Sequence, residues 1–160
     1  MTARVLAACA LVMCLATPVA AGDATPWRGK IYEIVDGDSL NVVRGKRRVM
    51  NVRLWGIDAP EHGQPWGREA TERLKRYEGK KLLFEIADTD RHNRHIVKIY
   101  LPGGELLQEA LAREGYAWWW QRYAPKAWGI ARAMLEAVEA KRGLWADPKP
   151  VPPWQWRRAK

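Results

Sequence analysis

Cysteine is nearly missing from this chain, and its placement narrows the chemistry further. The only two, Cys9 and Cys14, fall near the start of a sequence of 160 residues. Beyond Cys14 there is no thiol for a disulfide, a thiolate metal site or a cysteine nucleophile. Long apolar runs are also lacking: a spanning helix needs roughly 20 apolar residues, and the uncharged stretch from Val5 to Ala21 is interrupted by Pro18. Acidic side chains are the minority, with 18 Asp and Glu against 27 Lys and Arg and a formal charge of +9. Such an excess favours polyanions, nucleic acid or an anionic surface, although charge alone leaves open a basic protein with no anionic ligand. No internal repeat is present.

What is there begins with a leader. One positive charge at Arg4, the uncharged run and the small residues Val19-Ala20-Ala21 occur in the order of a secretory signal. We therefore expect residues 1–21 to be removed on export, with both cysteines, leaving a secreted or periplasmic protein with no integral membrane span. A lipoprotein reading through Leu11-Val12-Met13-Cys14 fails because Met13 is bulky where a small residue is required. The chain as a whole is 48% apolar and 28% charged, enough to bury one core.

Short alternating runs follow. Residues 31–35 and 40–43 flank Asp36-Gly37-Asp38-Ser39, a hairpin signal. Residues 49–57 form a third run with Met50, Val52 and Leu54 on one face and Asn51, Arg53 and Trp55 on the other. Arg53 therefore points away from the apolar face. Ala70, Leu74 and Tyr77 recur at helical spacing up to Gly79; residues 81–87 and 95–101 read as two further strands. Leu106, Leu107, Ala110 and Leu111 make a helical stripe closed by Gly115, and Trp128, Ala131, Leu135 and Val138 make another. The fold class is α+β: five strands, closed into a small barrel, with three helices. Residues 22–146 form that domain, and 147–160, rich in proline, tryptophan and basic residues, form an extended surface tail.

Carboxylates gather at Asp36 and Asp38, at Asp58 and Glu61, and at Asp88 and Asp90. Each pair alone can be no more than a turn former, since Asp favours turns. If the strands bring them together, a cation relieves their repulsion, and an all-oxygen ligand set implies a hard ion, calcium or magnesium. Phosphodiester hydrolysis needs charge neutralisation, cationic donors for the transition state and a base for water. Asp38 with Asp58, Arg53 with Arg94, and Glu61 supply one of each.

Val35-Asp36-Gly37-Asp38-Ser39, Arg53 to Glu61 (RLWGIDAPE), Gly67-Arg68-Glu69-Ala70 and Asp90-Arg91-His92-Asn93-Arg94, in that order, resemble the staphylococcal nuclease (thermonuclease) family. The resemblance runs from about Gly29 to Trp145. It implies a five-stranded oligonucleotide-binding (OB) type barrel and calcium (Ca2+) assisted hydrolysis of DNA and/or RNA by a monomer. By resemblance, Asp38 and Asp58 are carboxylate ligands of the ion, Ala59 offers its backbone carbonyl, and Asp36 is an acid just behind them. Arg53 and Arg94 grip the phosphate, Glu61 activates water, and Tyr123 stacks on the nucleotide. The rival expectation is a catalytically silent module of the same fold that binds nucleic acid or a protein; the presence of Arg53, Glu61 and Arg94 together favours the enzyme. Asn93 stands where the family usually has glycine, and asparagine tolerates the left-handed turn better than most residues. His62, His92 and His95 read as solvated residues. The tryptophans, Trp118-Trp119-Trp120 among them, either extend a base-stacking platform or pack helices and tail onto the barrel. Arg157, Arg158 and Lys160 add weak phosphate attraction or are a solvated end.

Overall fold

The computed structural model describes residues 25–46 and 48–159; the proposed leader, residues 1–21, lies outside the described residues. In chain order the elements are strands β1 (Trp27–Ile34), β2 (Ser39–Arg44), β3 (Arg48–Leu54) and β4 (Ile57–Asp58), and helix α1 (Gly67–Lys75). Strands β5 (Lys81–Thr89) and β6 (His95–Tyr100), helix α2 (Leu107–Arg113), strand β7 (Trp118–Trp119) and helix α3 (Trp128–Glu139) follow. A 3-10 turn (Gly143–Ala146) and the single-turn helix α4 (Pro153–Trp156) complete them.

Five strands close into a barrel in the order β1-β2-β3-β6-β5. All pairings are antiparallel except β3 with β6, where Val52, Arg53 and Leu54 face His95, Ile96 and Val97 in parallel. The alternation read from the sequence fills the interior: Ile31, Leu40, Val42, Val52, Leu54, Phe84, Val97 and Ile99 are all buried. Helix α2 closes one end through Leu107 and Leu111. Its buried Gln108 donates from Nε2 to the Val97 carbonyl at 2.8 Å and accepts the Ile99 amide at 3.3 Å, completing the β6 edge where β3 has ended.

The third run of apolar alternation is two strands rather than one. Gly56 takes a left-handed φ of 77°, which breaks β3 from β4 and turns Asp58 into a second, two-stranded sheet against β7. An added Cβ at Gly56 would also lie 2.8 Å from Ile130 Cδ1 on α3, so the turn needs glycine for space as well as for φ.

The third helix lies where expected, but its buried face is offset. Ile130, Ala131, Ala133 and Ala137 are buried, whereas Trp128, Leu135 and Val138 are exposed. The reason is the close approach of α2: a Cβ at Gly129 would sit 2.0 Å from Glu109 Oε1, so small residues rather than large ones face that helix. Asn93 takes the left-handed conformation, with φ 60°. The tail also departs from the extended surface tail expected, since it ends in α4 and docks. Trp118 packs edge-on against Trp145 and Trp154, with centroids 4.3 and 5.6 Å apart, and Gln64 Nε2 donates to the Val151 carbonyl at 2.6 Å.

Candidate active site

The loop between β1 and β2 is longer than the two-residue turn that an Asp-Gly pair often makes. Val35 and Asp36 both donate their amides to the Ser39 carbonyl, and Asp36 Oδ1 accepts the amides of Asp38 and Ser39 at 2.9 and 2.7 Å. Asp36 thus spends its carboxylate on the shape of the loop. Gly37 matters for close approach: an added Cβ would lie 2.7 Å from the Ala59 Cβ and 2.9 Å from the Ala70 Cβ. Three small residues let the loop, the segment after β4 and α1 meet, and that meeting brings Asp38 to Asp58.

Both carboxylates are buried, Asp38 at 3% and Asp58 at 0% exposure. A single nitrogen, Arg53 Nη2, donates to Asp38 Oδ2 at 2.8 Å and to Asp58 Oδ1 at 2.6 Å. The Ala59 amide donates to Asp38 Oδ2 at 2.9 Å, and Ser39 Oγ to Asp38 Oδ1 at 3.1 Å. Burial pushes the Asp38 carboxyl up to about 7; Arg53 pulls against that rise, and Asp36 and Asp58 add to it. Burial also works against the Arg53 charge, but Asp38 and Asp58 outweigh it and hold the guanidinium above its ordinary range.

Arg157, from the turn that ends α4, is the residue that the sequence pattern did not place here. Its Nη2 donates to Asp58 Oδ2 at 2.7 Å and its Nη1 to Asp58 Oδ1 at 3.1 Å, a two-pronged pair, while Nη1 also reaches Glu61 Oε1. The hydrogen bonds that Arg157 donates to Asp58 hold its guanidinium above the usual arginine range. Arg53 and Arg157 lie on the ring of Trp120, at 5.4 and 5.6 Å from its centroid. Trp120 is positioned by its backbone N–H, which donates to the Gly56 carbonyl at 2.9 Å. Exposed Tyr123 stands beside Trp120, with ring centroids 4.1 Å apart.

The structure therefore brings together Asp38, Asp58, Ala59, Arg53 and Glu61, with Asp36 behind them and Tyr123 at the margin. Arg94 is paired elsewhere: its Nε donates to Asp90 Oδ2 at 2.8 Å. Slight burial opposes it, but the Arg94 backbone and side chain hold the Asp90 carboxyl below its usual range. Since His95 pairs with Val52, Arg94 enters β6 beside the strand that carries Arg53. Arg157 had one sequence signal, the tryptophans around it, which mark a tail that packs rather than floats.

Among the described residues no three His, Cys, Asp or Glu side chains gather as a metal-holding group. Two buried carboxylates that meet at one cationic nitrogen nevertheless fit a hard divalent ion, whose remaining ligands are ordinarily carbonyl and water oxygens. A closed five-stranded barrel with helices at its end and this charged cluster at the rim defines an α+β protein of OB type.

The family model for staphylococcal nuclease homologues matches residues 51–147. An uncharacterized endonuclease of Escherichia coli O157:H7 is 35% identical over 133 residues, covering 82% of this chain and 86% of that protein. A micrococcal nuclease of Shigella flexneri is 33% identical over 162 residues, covering 95% and 90%. Staphylococcal-like nuclease CAN1 of Arabidopsis thaliana is 37% identical over 130 residues, covering 81% of this chain and 39% of the plant protein. The chain belongs to the staphylococcal nuclease family and is a nuclease, a hydrolase. Nucleases of this family are generally metal-dependent. No helix among the described residues is long and apolar enough to cross a membrane.

Proposed function

We propose that the chain is an exported, calcium-dependent nuclease that hydrolyses phosphodiester bonds of DNA and/or RNA as a monomer, after loss of residues 1–21. The observation that carries this reading is the convergence of Asp38 and Asp58 on one Arg53 nitrogen. Two buried acids and a guanidinium at one point bind a cation and a phosphate together.

Asp38 and Asp58, with the Ala59 carbonyl, would hold the ion, which supplies neutralising charge for the phosphate. Arg53 donates its planar fork to the non-bridging phosphate oxygens, where negative charge grows in the transition state. Arg94 supplies a second fork once it lets go of Asp90. Glu61 accepts the proton of the attacking water at a carboxylate oxygen, the one that Arg157 now contacts. Tyr123, with Trp120 beside it, offers an exposed face on which a base can stack, and stacking tolerates any sequence. Arg4, the only charge in the leader, is lost with it, so the exported protein stays strongly basic and draws nucleic acid in.

Glu61→Gln keeps size and hydrogen bonding but cannot take a proton. Its turnover on single- and double-stranded DNA and RNA with calcium should fall by roughly 10²–10⁴-fold, with affinity little changed. Cleavage by this variant at the parent rate would move the base elsewhere. If the parent protein binds nucleic acid and cuts none of these substrates, the binding-module reading wins.

A further inference from the structure

Arg157 is used by none of the steps above, yet it makes the most extensive contact in the site. Its side chain forks onto Asp58, touches Glu61 and lies on Trp120. It lies beyond the residues that the family model matches. Nor is it a loose end that happened to find an acid. The tail before it is fastened at several points: Val151 by Gln64, Trp154 by Trp118, and Pro153 by burial. Gln64 is itself buried, and its Oε1 accepts the Glu61 amide at 2.9 Å, so one side chain ties the tail to the loop carrying the proposed base.

The charge balance gives this contact a consequence. Asp38, Asp58 and Glu61 face Arg53 and Arg157, three carboxylates against two guanidiniums. Arg53 touches one oxygen of Asp58, whereas Arg157 engages both. A divalent ion drawn to Asp58 therefore meets a cation already holding that carboxylate's lone pairs, and two positive centres cannot share them without strong repulsion.

We propose that Arg157 is the resident counter-ion of this site, and that a divalent cation takes Asp58 by displacing it, so that metal loading and release of the Arg157 side chain are one linked event. The proposal rests on the assignment of Asp38 and Asp58 as cation ligands. The tail can stay docked through its tryptophans while the guanidinium swings off. Displacement then frees Glu61 in the same motion, because one nitrogen of Arg157 serves both acids. By reciprocity, the factor by which the Arg157 contact weakens cation binding is the factor by which a bound cation weakens the Arg157 contact.

The test is calcium binding by titration calorimetry on the full chain, without nucleic acid. Parent, Arg157→Gln, Arg157→Lys and Arg158→Gln are compared; Arg158 is exposed, so its loss removes the same net charge without touching the site. A charge at ion-pair distance changes a carboxylate's preference by about one to three powers of ten. Arg157→Gln should therefore bind calcium at least about ten-fold tighter than the parent, Arg157→Lys should fall between them, and Arg158→Gln should match the parent within roughly two-fold because solvent screens it. Equal or weaker binding by Arg157→Gln, while the parent does bind, overturns the counter-ion role and leaves the ligand assignment standing. If neither parent nor Arg157→Gln binds calcium, the ligand assignment falls and this proposal with it.

Discussion

At the scale of single residues, Arg53 holds buried Asp38 and Asp58, and in the proposed mechanism it also presents a fork to a phosphate. Lysine keeps the charge in both tasks and loses the planar pair of donors. Arg53→Lys and Arg94→Lys should each lose turnover while salt-dependent nucleic-acid binding barely moves, as steady-state rates and binding isotherms at several salt concentrations will report. An equal loss of binding and turnover would mean that these side chains serve attraction alone. Arg53 is legible in the amino-acid sequence, because strand alternation puts it opposite Met50, Val52 and Leu54 and resemblance supplies its role. Arg157 is not. It lies 99 positions from Asp58, and no local period or motif connects a tail arginine to a carboxylate on β4. The packing of Trp118, Trp145 and Trp154, with the bond from Gln64 to Val151, makes that connection.

At the scale of elements, the site depends on how closely a loop, a short strand and a helix can meet. Gly37→Ala puts a Cβ within 3 Å of both Ala59 and Ala70 side chains, and neither can rotate away. The change should cost about 1–3 kcal/mol of stability and weaken calcium binding, because the loop carrying Asp38 must retreat from Asp58. Urea unfolding and calorimetry check the two effects; a variant with parent stability would show that the contact is soft.

The β5–β6 ladder has its own pH signature. Tyr100 donates its hydroxyl to Glu85 at 2.6 Å, and Lys98 donates to the same carboxylate at 2.7 Å. Burial first, and then the bond to Glu85, raise the Tyr100 hydroxyl from 10.0 to about 12. A raised value in the folded state means stabilisation that is complete below the unfolded value near 10 and lost as pH climbs through 12. The stability advantage of the parent over Tyr100→Phe should therefore shrink between pH 10 and 12. Urea unfolding of both at the two ends of that range measures it, and a constant gap would contradict the assignment. The barrel strands were legible from alternation, but the break at Gly56 and the offset face of α3 were not. Both follow from close approaches to other elements, at Ile130 and at Glu109, which a one-dimensional pattern does not contain.

At the scale of the whole molecule, a basic barrel carries a knot of acids at its rim, and its C-terminal tail folds back to close the charge balance there. The excess of Lys and Arg supplies long-range attraction for nucleic acid, and the buried acids are the local exception at which the proposed function places a cation and a phosphate. Fold class and most of the site were legible because the motifs lie on consecutive strands and turns. The docking of the tail was legible only as an excess of tryptophan.

The central claim is that cleavage depends on a cation held by Asp38 and Asp58. The most direct measurement is phosphodiester cleavage of single-stranded DNA by the parent, Asp38→Ala and Asp58→Ala, first in excess chelator and then across a calcium titration. The account predicts no cleavage by the parent in chelator, recovery as calcium is restored, and a large rise in the calcium requirement of both variants. Full cleavage by the parent in chelator would contradict it.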